Sequence, residues 1–305
     1  MKKQFITLLL IAILFSCKNE TKTEENGKLN VVTTTSMITD LVKNIGGDAI
    51  NVQGLMGSGV DPHLYKASEG DVTKLVNADV IFYNGLHLEG KLVDVFEKMG
   101  SATKTPIALA DGLSKKQLIG SEYFASNYDP HVWFNIDFFI QFTKKVTHVL
   151  SEKNPENAQI FRTNEKRYLA DLNKLKEDVQ GVVNSLPSEK RILVTAHDAF
   201  NYFGEAYGFK VVGLQGLSTA TEAGVKDVQK LAEFIIEYEV KAVFIESSVP
   251  KRTIEALQEA VKSKDYDVII GGTLFSDALG NAGTPEGTYL GMYRYNIKTI
   301  VSALR

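Results

Sequence analysis

Residues 154–187 of this 305-residue chain have the sequence NPENAQIFRTNEKRYLADLNKLKEDVQGVVNSLP. Asn154 suits the N-cap of a helix, Pro155 is tolerated at its first position, and Pro187 prevents further helix. The apolar residues between them follow an opening step of seven and then alternating steps of four and three, which predicts one helix with a single apolar stripe. At about 1.5 Å per residue this helix would be roughly 50 Å long. The stripe residues are Phe161, Tyr168, Leu172, Leu175, Val179, Val182 and Leu186.

The long helix divides the chain into two similar halves. We predict two lobes joined by this helix, because about 280 residues after an N-terminal leader suit two domains of ordinary size. The alternative is a long surface helix on a single domain. The predicted organisation is an N-terminal lobe over residues 29–153, the linking helix over 154–187 and a C-terminal lobe over 188–305.

The first residues have the features of an export signal. Two lysines precede an apolar run over residues 5–15, which is too short to span a bilayer but typical of a signal-peptide core. We therefore predict a signal peptide over residues 1–16. The sequence LFSC at residues 14–17 resembles a bacterial lipobox, in which the cysteine is acylated and becomes the first residue of the mature protein. The alternative interpretation is that Cys17 is an ordinary buried cysteine that stands here by chance.

Lipid on Cys17 would attach the protein to a bacterial membrane, on the periplasmic or the cell-surface side. Residues 17–28 have almost no apolar content and are expected to form a flexible tether. Because Cys17 is the only cysteine, an internal disulfide or a thiolate metal cluster is impossible. Loss of the signal peptide removes two of 34 lysines and arginines, so 32 oppose 37 acidic residues and the mature net charge is −5. This acidic balance argues against a nucleic-acid partner.

Apolar runs alternate with helical stretches on both sides of the long helix. In the first half, helices are predicted over residues 38–45, 69–78 and 89–99. Such alternation is typical of α/β folds with parallel sheets covered by helices, in which ligands gather at the carboxyl ends of the strands. The predicted strands span residues 29–33, 51–56, 80–83, 106–108, 191–195, 210–214, 241–245 and 267–270.

The tripeptide Asp-Pro-His occurs twice in the first half. His63 follows the second predicted strand, and His131 precedes a helix predicted over residues 136–153. Proline fixes its own φ and restricts the preceding aspartate to extended backbone, so each histidine is held on a stiffened loop. Asp61 and Asp129 are candidate acceptors that would fix the tautomers of metal-binding imidazoles. Each histidine taken alone is more typical of an ordinary loop or helix cap.

Further candidate site residues follow the third, fifth, seventh and eighth predicted strands. His197 follows the fifth strand, and Asp277 lies in the loop after the eighth, where a carboxylate taken alone is more typical of a cap or turn. Glu246 follows the seventh strand directly and is a candidate for orienting a ligand. His87 lies in the loop after the third strand and could approach the same cleft. His148 is predicted on a solvated helix face.

Taken together, these residues indicate a metal site between the two halves. His63 and His131 come from before the long helix, whereas His197 and Asp277 come from after it. Three imidazoles and one carboxylate suit Zn²⁺ in tetrahedral geometry, or Mn²⁺ if Asp277 binds through both oxygens. The histidines must be neutral to bind metal, so the affinity is expected to fall as the pH drops toward and below about 6.5.

Six motifs carry these residues: GVDPH at 59–63, NGLHLE at 84–89, DPHVW at 129–133, TAHDAF at 195–200, ESS at 246–248 and SDALG at 276–280. They are spread over nearly all of the mature chain and resemble those of the metal-receptor lipoproteins of bacterial zinc/manganese ABC importers, most closely the TroA-like branch. The resemblance implies two pseudo-symmetric β/α lobes joined by one long helix, with the metal between them. It maps the ligands onto His63, His131, His197 and Asp277 and implies an ABC permease as partner.

The resemblance also bears on the cargo. Relatives with glutamate at the third ligand position are associated with manganese or iron, whereas His197 places this chain among the all-histidine types, which take zinc and sometimes manganese. Many zinc-dedicated relatives carry a long histidine-rich loop before the second ligand histidine. Here the segment 111–129 is short and contains no histidine, which argues against a zinc-only receptor. We therefore expect a monomeric, extracytoplasmic receptor for Zn²⁺ or Mn²⁺.

Two other functions could use the same residues. Catalytic zinc is also held by three histidines with an open position, so an exported zinc hydrolase is one alternative. Asp277 in the fourth position and the lack of an HExxH motif argue against it. A surface adhesin with a structural metal is the second alternative, and it predicts that metal removal unfolds the protein. For a receptor, the long helix is expected to limit binding motions to small lobe tilts and local loop movement.

Overall fold

The structure is a computed structural model that describes residues 28–100 and 105–305. The predicted signal peptide, the lipidated Cys17 and nearly all of the tether lie outside the described residues. The strands are β1 (Leu29–Thr33), β2 (Ile50–Gly54), β3 (Val80–Tyr83), β4 (Ile107–Ala108), β5 (Ile192–His197), β6 (Lys210–Gln215), β7 (Ala242–Glu246) and β8 (Ile269–Leu274). The α-helices are α1 (Ser36–Gly46), α2 (Glu69–Asn77), α3 (Val93–Gly100), α4 (Ile136–Lys153), α5 (Ala158–Asn184), α6 (Asn201–Tyr207), α7 (Val225–Glu237), α8 (Arg252–Lys262) and α9 (Tyr289–Leu304).

The strands form two sheets with the same topology. The first sheet has the order β2-β1-β3-β4 and the second the order β6-β5-β7-β8, and the paired strands are parallel in both. In each sheet the chain moves to one edge and then returns past its first strand, which creates a switch point between the two central strands. The repeated order confirms the predicted α/β fold of two pseudo-symmetric lobes joined by a long helix.

Each sheet has an outer core of its own and shares an inner one. Leu75 of α2 belongs to the outer core of the first sheet, and Leu257 of α8 belongs to that of the second. The inner core is continuous across the two lobes, so they pack as one body around α5. Its members from both sheets and the helices between them include Leu41, Phe82, Phe142, Leu172, Phe203, Phe244 and Ile300.

The predicted long helix is present but begins later and ends earlier than expected. Asn154 accepts a hydrogen bond from the Asn157 backbone N–H in a short 3-10 turn, and α5 then extends over 27 residues, or about 40 Å. It packs against α1 and α4 of the first half and α9 of the second. Val183 is buried in place of the predicted Val182, because a further step of four keeps the stripe facing the core. The buried residues of the stripe are Phe161, Tyr168, Leu172, Leu175, Val179, Val183 and Leu186. Within the described ranges, no helix has the length and apolar character needed to cross a membrane.

Two strands extend two or more residues beyond their predicted ends. β5 includes His197, so this histidine is the last residue of a central strand and not part of a loop. β8 continues to Leu274, although the glycines at 271 and 272 suggested a loop. A Cβ at Gly271 would lie 2.7 Å from the Phe244 ring and from Ala303, so the strand passes here where only glycine fits.

Hydrogen bonds join the lobes beside the shared core. Ser36 Oγ accepts from the Leu279 N–H at 2.8 Å, and Asp40 Oδ2 accepts from the Tyr289 N–H at the start of α9 at 3.0 Å. The segment from Leu279 to the start of α9 is therefore held against α1 of the first lobe.

Candidate metal site

The structure brings the four predicted ligand side chains together at the seam between the lobes. His63 lies in the loop after β2, His131 precedes a 3-10 turn (Val132–Phe134), His197 ends β5, and Asp277 lies beyond β8. One ligand atom of each residue lies within 4.8 Å of the others. The four residues are at most 5% exposed, so an ion held here would be shielded from water.

Two of the distances between ligand atoms match those of a tetrahedral site, and Nε2 of His63 lies somewhat further, at 3.9 Å, from Oδ2 of Asp277. Nε2 of His63 lies 3.3 Å from Nε2 of His131, and Nε2 of His197 lies 3.2 Å from Oδ2 of Asp277. Bonds of about 2.0–2.1 Å to a tetrahedral Zn²⁺ place neighbouring ligand atoms about 3.3 Å apart. Nε2 of His131 faces the other carboxylate oxygen, Oδ1, at 3.6 Å. Asp277 can therefore bind an ion through one oxygen or through both.

Buried polar atoms at the centre of the group have no hydrogen-bond partner among the described residues. They are Nε2 of His197 and both carboxylate oxygens of Asp277. Leaving a buried donor or acceptor unpaired costs free energy, and native proteins seldom leave several together. A divalent cation bound between these atoms would supply the missing interactions, so the residues fit a metal.

His131 is held by both its backbone and its ring. Oδ1 of Asp129 accepts from the His131 N–H at 2.9 Å and lies 2.7 Å from the ring Nδ1. Asp129 is supported from α6 of the other lobe, where Asn201 donates to its Oδ2 and the Tyr202 hydroxyl donates to its backbone carbonyl. This arrangement leaves Nε2 of His131 facing the other ligands.

Asp61 holds His63 by its backbone and not by its ring. Oδ1 of Asp61 accepts from the His63 N–H at 2.8 Å, as in the second tripeptide. The other oxygen of Asp61 accepts from the Thr219 hydroxyl of the opposite lobe. The predicted role of Asp61 in fixing the His63 tautomer is therefore not what the structure shows, because this carboxylate points to Thr219 and the backbone.

Glu246 supports His197 in the second lobe. Its Oε1 accepts from the His197 N–H at 2.8 Å, and its Oε2 lies 2.6 Å from the ring Nδ1. The contact at Nδ1 lacks the angle of a regular hydrogen bond, but it places a carboxylate where it orients the ring. Glu246 therefore lies where the sequence predicted an orienting residue.

The pKa values of two ligand histidines are shifted in opposite directions. Burial lowers the pKa of His63 to about 3, and the charge of Asp277 opposes this only in part. Burial also acts to lower the pKa of His197, but the Asp277 and Glu246 carboxylates raise it well above its ordinary value. Although burial alone would raise the pKa of Asp277, the His197 charge holds it well below its usual range. Without metal, His197 and Asp277 therefore form an ion pair.

Comparison with known proteins identifies the family. Residues 31–303 match the family of ZnuA, described as the periplasmic component A of the zinc-uptake complex. This chain belongs to the ZnuA family. It is 48% identical over 304 residues to the manganese-binding lipoprotein MntA of Bacillus subtilis (strain 168), covering 97% of this chain and 99% of that protein. It is 49% identical over 279 residues to the zinc-binding protein TroA of Treponema pallidum (strain Nichols), covering 92% and 90%.

The fold of this ZnuA-family chain also matches a solved structure of that relative. The periplasmic zinc-binding protein TroA from Treponema pallidum superposes with a TM-score of 0.88, covering 91% of this chain and 99% of that one. The family predicted from the six motifs is therefore confirmed.

The two remaining histidines of this ZnuA-family chain lie outside the group of four. His87 is exposed, and its ring packs edge-on against Phe124 with the centroids 6.3 Å apart. His148 is exposed on α4, with Nε2 3.4 Å from Glu152 one turn later, which agrees with a solvated helix face.

Glu89 is a buried carboxylate whose role was not predicted from the sequence. Its oxygens accept from the Thr34 hydroxyl at 2.6 Å and from the backbone N–H groups of Asn84 and Gly85. Asn84 in turn donates to the carbonyl of Pro130, next to His131, at 2.9 Å. The available signal was positional, because Glu89 follows the third strand of its lobe as Glu246 ends the third strand of the other.

Trp133 is a second residue whose contact was not predicted. Its indole N–H donates to the Ser276 carbonyl at 3.0 Å, between segments 143 residues apart in the sequence. Because Trp133 follows His131 by two residues and Ser276 precedes Asp277, this bond ties two ligand-bearing segments across the lobes.

Proposed function

We propose that this protein captures Zn²⁺ or Mn²⁺ outside the cytoplasm and delivers it to the permease of an ABC importer. His63, His131, His197 and Asp277 hold the ion between the lobes. The observation that carries the proposal is the convergence of these buried ligand atoms, with both Asp277 oxygens lacking a hydrogen-bond partner among the described residues. Membership in the family of a zinc-uptake component supports transport as the purpose of binding.

The ligand set suits an ion that is held and then released. Asp277 supplies the one negative charge among the four ligands, and the imidazoles bind as neutral donors. The ligands are divided equally between the lobes. Release then requires that the two pairs move apart, and we assign the force for that movement to contact with the permease.

Attachment to the membrane is part of the proposal. Lipid on Cys17 would hold the protein at the extracytoplasmic face, with residues 18–28 as a tether that lets a monomer reach the permease. The name of MntA, a manganese-binding lipoprotein of which this chain covers 99%, supports the anchor.

We assign the site to binding and not to catalysis. A zinc hydrolase keeps one coordination position open to water and substrate. Here Asp277 stands at the fourth position, and the four ligand residues are at most 5% exposed. A site of this kind admits an ion but gives no access to a peptide or ester.

The proposal includes both metals as cargo. The chain is 48% identical to a manganese-binding protein and 49% identical to a zinc-binding one. A site with three nitrogens and one carboxylate generally holds Zn²⁺ more tightly than Mn²⁺ whatever its biological cargo, following the Irving–Williams order. Metal analysis of protein purified from its native host therefore identifies the physiological cargo.

Calorimetry on the metal-depleted protein tests the proposal. Titration with Zn²⁺ or Mn²⁺ is expected to show one tight site per chain. Asp277→Ala is expected to abolish tight binding, because it removes the charged ligand and leaves three imidazoles. His148→Ala, which changes an exposed histidine outside the group, is the matched control and is expected to bind as the unchanged protein does.

Two outcomes would contradict the proposal. One is a protein that shows no tight divalent-ion binding, and the other is an equal loss of binding in the two variants. Removal of the metal with a chelator, followed by circular dichroism, separates a receptor from an adhesin with a structural metal. A receptor keeps its fold and binds metal again.

A further inference from the structure

One hydrogen bond connects a ligand-bearing loop of the first lobe to a loop of the second. Oδ2 of Asp61 accepts from the hydroxyl of Thr219 at 2.5 Å, between residues 158 positions apart. Oδ1 of the same carboxylate accepts from the His63 backbone N–H at 2.8 Å. The two oxygens of Asp61 therefore link His63 to the opposite lobe.

The loop that carries Thr219 spans residues 216–224, with the sequence GLSTATEAG. It borders two cavities of about 620 and 450 Å³. At its base, the Gln215 side chain makes a long hydrogen bond of 3.4 Å to the Thr221 carbonyl, and its Oε1 has no partner within the described part of the chain. The start of the loop makes one further long contact, from the Asp198 N–H to the Gly216 carbonyl at 3.3 Å, and open space lies beside the loop.

Thr219 differs in this respect from the residues that support His131. The aspartate before His131 is held by Asn201 and Tyr202, which both belong to helix α6. The aspartate before His63 is held across the seam by a loop residue. The geometry of His63 therefore depends on where this loop lies.

We infer that Thr219 is a positioning residue for the metal. Its hydroxyl holds Asp61, and through Asp61 the backbone of His63, in the binding arrangement, and separation of Thr219 from Asp61 is an early step of metal release. This inference rests on the proposed metal-binding function. It assigns to one threonine in the second lobe the control of a ligand in the first.

The expected effect is kinetic. Thr219→Val keeps the shape of the side chain but removes the donor, so the Asp61 carboxylate loses a charge-assisted hydrogen bond. Because the bond links the His63 loop to the opposite lobe in the binding arrangement, its loss is expected to change dissociation more than association. A bond of this class corresponds to metal release about tenfold faster.

The test is a stopped-flow chase of the Zn²⁺-loaded protein with excess chromogenic chelator. Thr219→Val is expected to release Zn²⁺ about tenfold faster with an association rate within about twofold of the unchanged protein. Thr219→Ser retains the hydroxyl and is expected to restore slow release. Thr221→Val makes the same substitution at an exposed threonine of the same loop and is expected to leave release unchanged.

The outcomes separate this inference from the proposed function. If the unchanged protein holds no Zn²⁺, the proposed function fails. If it holds Zn²⁺ but Thr219→Val releases it at the unchanged rate, the role of Thr219 is refuted while the metal site stands. Equal acceleration in Thr219→Val and Thr221→Val, or no rescue by Thr219→Ser, would likewise overturn it, because the effect would then belong to the loop and not to the hydroxyl.

Discussion

The two Asp-Pro-His tripeptides are identical in sequence but differ in their surroundings. In both, the aspartate accepts a hydrogen bond from the histidine N–H two residues later. In the second, the same carboxylate also lies 2.7 Å from the His131 ring and is held by helix α6. In the first, the carboxylate turns to Thr219.

The difference shows which part of a metal site is determined by neighbouring residues in the sequence. Proline and aspartate determine the backbone within the tripeptide, so the aspartate-to-N–H bond appears twice. The orientation of the ring depends on residues far away in the sequence, and here it differs. His131 is therefore a ligand held in place before metal arrives, whereas His63 is positioned through a bond that crosses the seam.

Removing each histidine tests this comparison most strongly. His131→Ala is expected to lower metal affinity by more than about 100-fold, since it removes a ligand held ready by Asp129. His63→Ala is expected to cost less, because Asp61 holds the backbone of His63 and does not orient its ring as Asp129 orients that of His131. Calorimetry at pH 7 measures both, and a greater loss in His63→Ala would reverse the comparison.

The aspartates give the next largest effect. Asp129→Asn is expected to lower affinity roughly 10- to 100-fold, because an amide cannot fix the His131 tautomer as the carboxylate does. Asp61→Asn is expected to act mainly on the dissociation rate, since Asp61 holds the backbone of His63 and not its ring. Stopped-flow release and calorimetry on both variants separate the two effects. Equal losses of equilibrium affinity would show that the tripeptides are equivalent.

The pH dependence of metal affinity is expected to come from His197 in the second lobe and not from His63. With its pKa lowered to about 3 by burial, His63 is neutral near pH 7 and has no proton to lose when metal binds. His197, with its pKa raised by Asp277 and Glu246, is protonated without metal and must release its proton. The affinity is therefore expected to decline as the pH falls, starting above the value of about 6.5 expected from unperturbed histidines.

Calorimetry in buffers with different ionisation enthalpies measures this release directly. We expect His197 to release its proton when metal binds at pH 7, with no contribution from His63. A His63→Ala variant that releases fewer protons than the unchanged protein would contradict the assignment.

The smallest expected effect comes from the support behind Asp129. Tyr202→Phe removes a hydroxyl that donates to the Asp129 carbonyl at 3.0 Å and accepts from the Ile119 N–H. One neutral hydrogen bond of this kind corresponds to a loss of affinity of about threefold. Tyr207→Phe, in the same helix, is the control for loss of a hydroxyl. An effect of Tyr202→Phe on metal binding as large as that of Asp129→Asn would place the main support in Tyr202.

Sequence patterns predicted the two parallel-sheet lobes and the group of four side chains. They succeeded because the periodicity of strands and helices is local and because parallel strands bring their carboxyl ends to one edge. The position of His197 within β5 was missed, since no residue marks the end of a strand that is buried on both faces. One position near the end of the stripe was predicted wrongly. Val183 is buried in place of Val182, and the sequence could not separate them because both are valines.

Contacts between distant segments could not be predicted. The Thr219–Asp61 and Trp133–Ser276 bonds join residues 158 and 143 positions apart, and each uses a residue type that is common in ordinary loops or cores. Nothing in the local sequence distinguishes Thr219 from Thr221, yet one hydroxyl reaches the other lobe and the other side chain is exposed. Only the packing of the lobes decides this.

Both halves share one apolar interior, which extends from the first sheet through α5 to the second. A chain cut within α5 would leave each fragment with an uncovered face, so the halves cannot be exchanged between relatives as independent modules. A shift of this receptor toward another cargo therefore has to come from residues at the seam, because a change in the interior has to suit both halves at once.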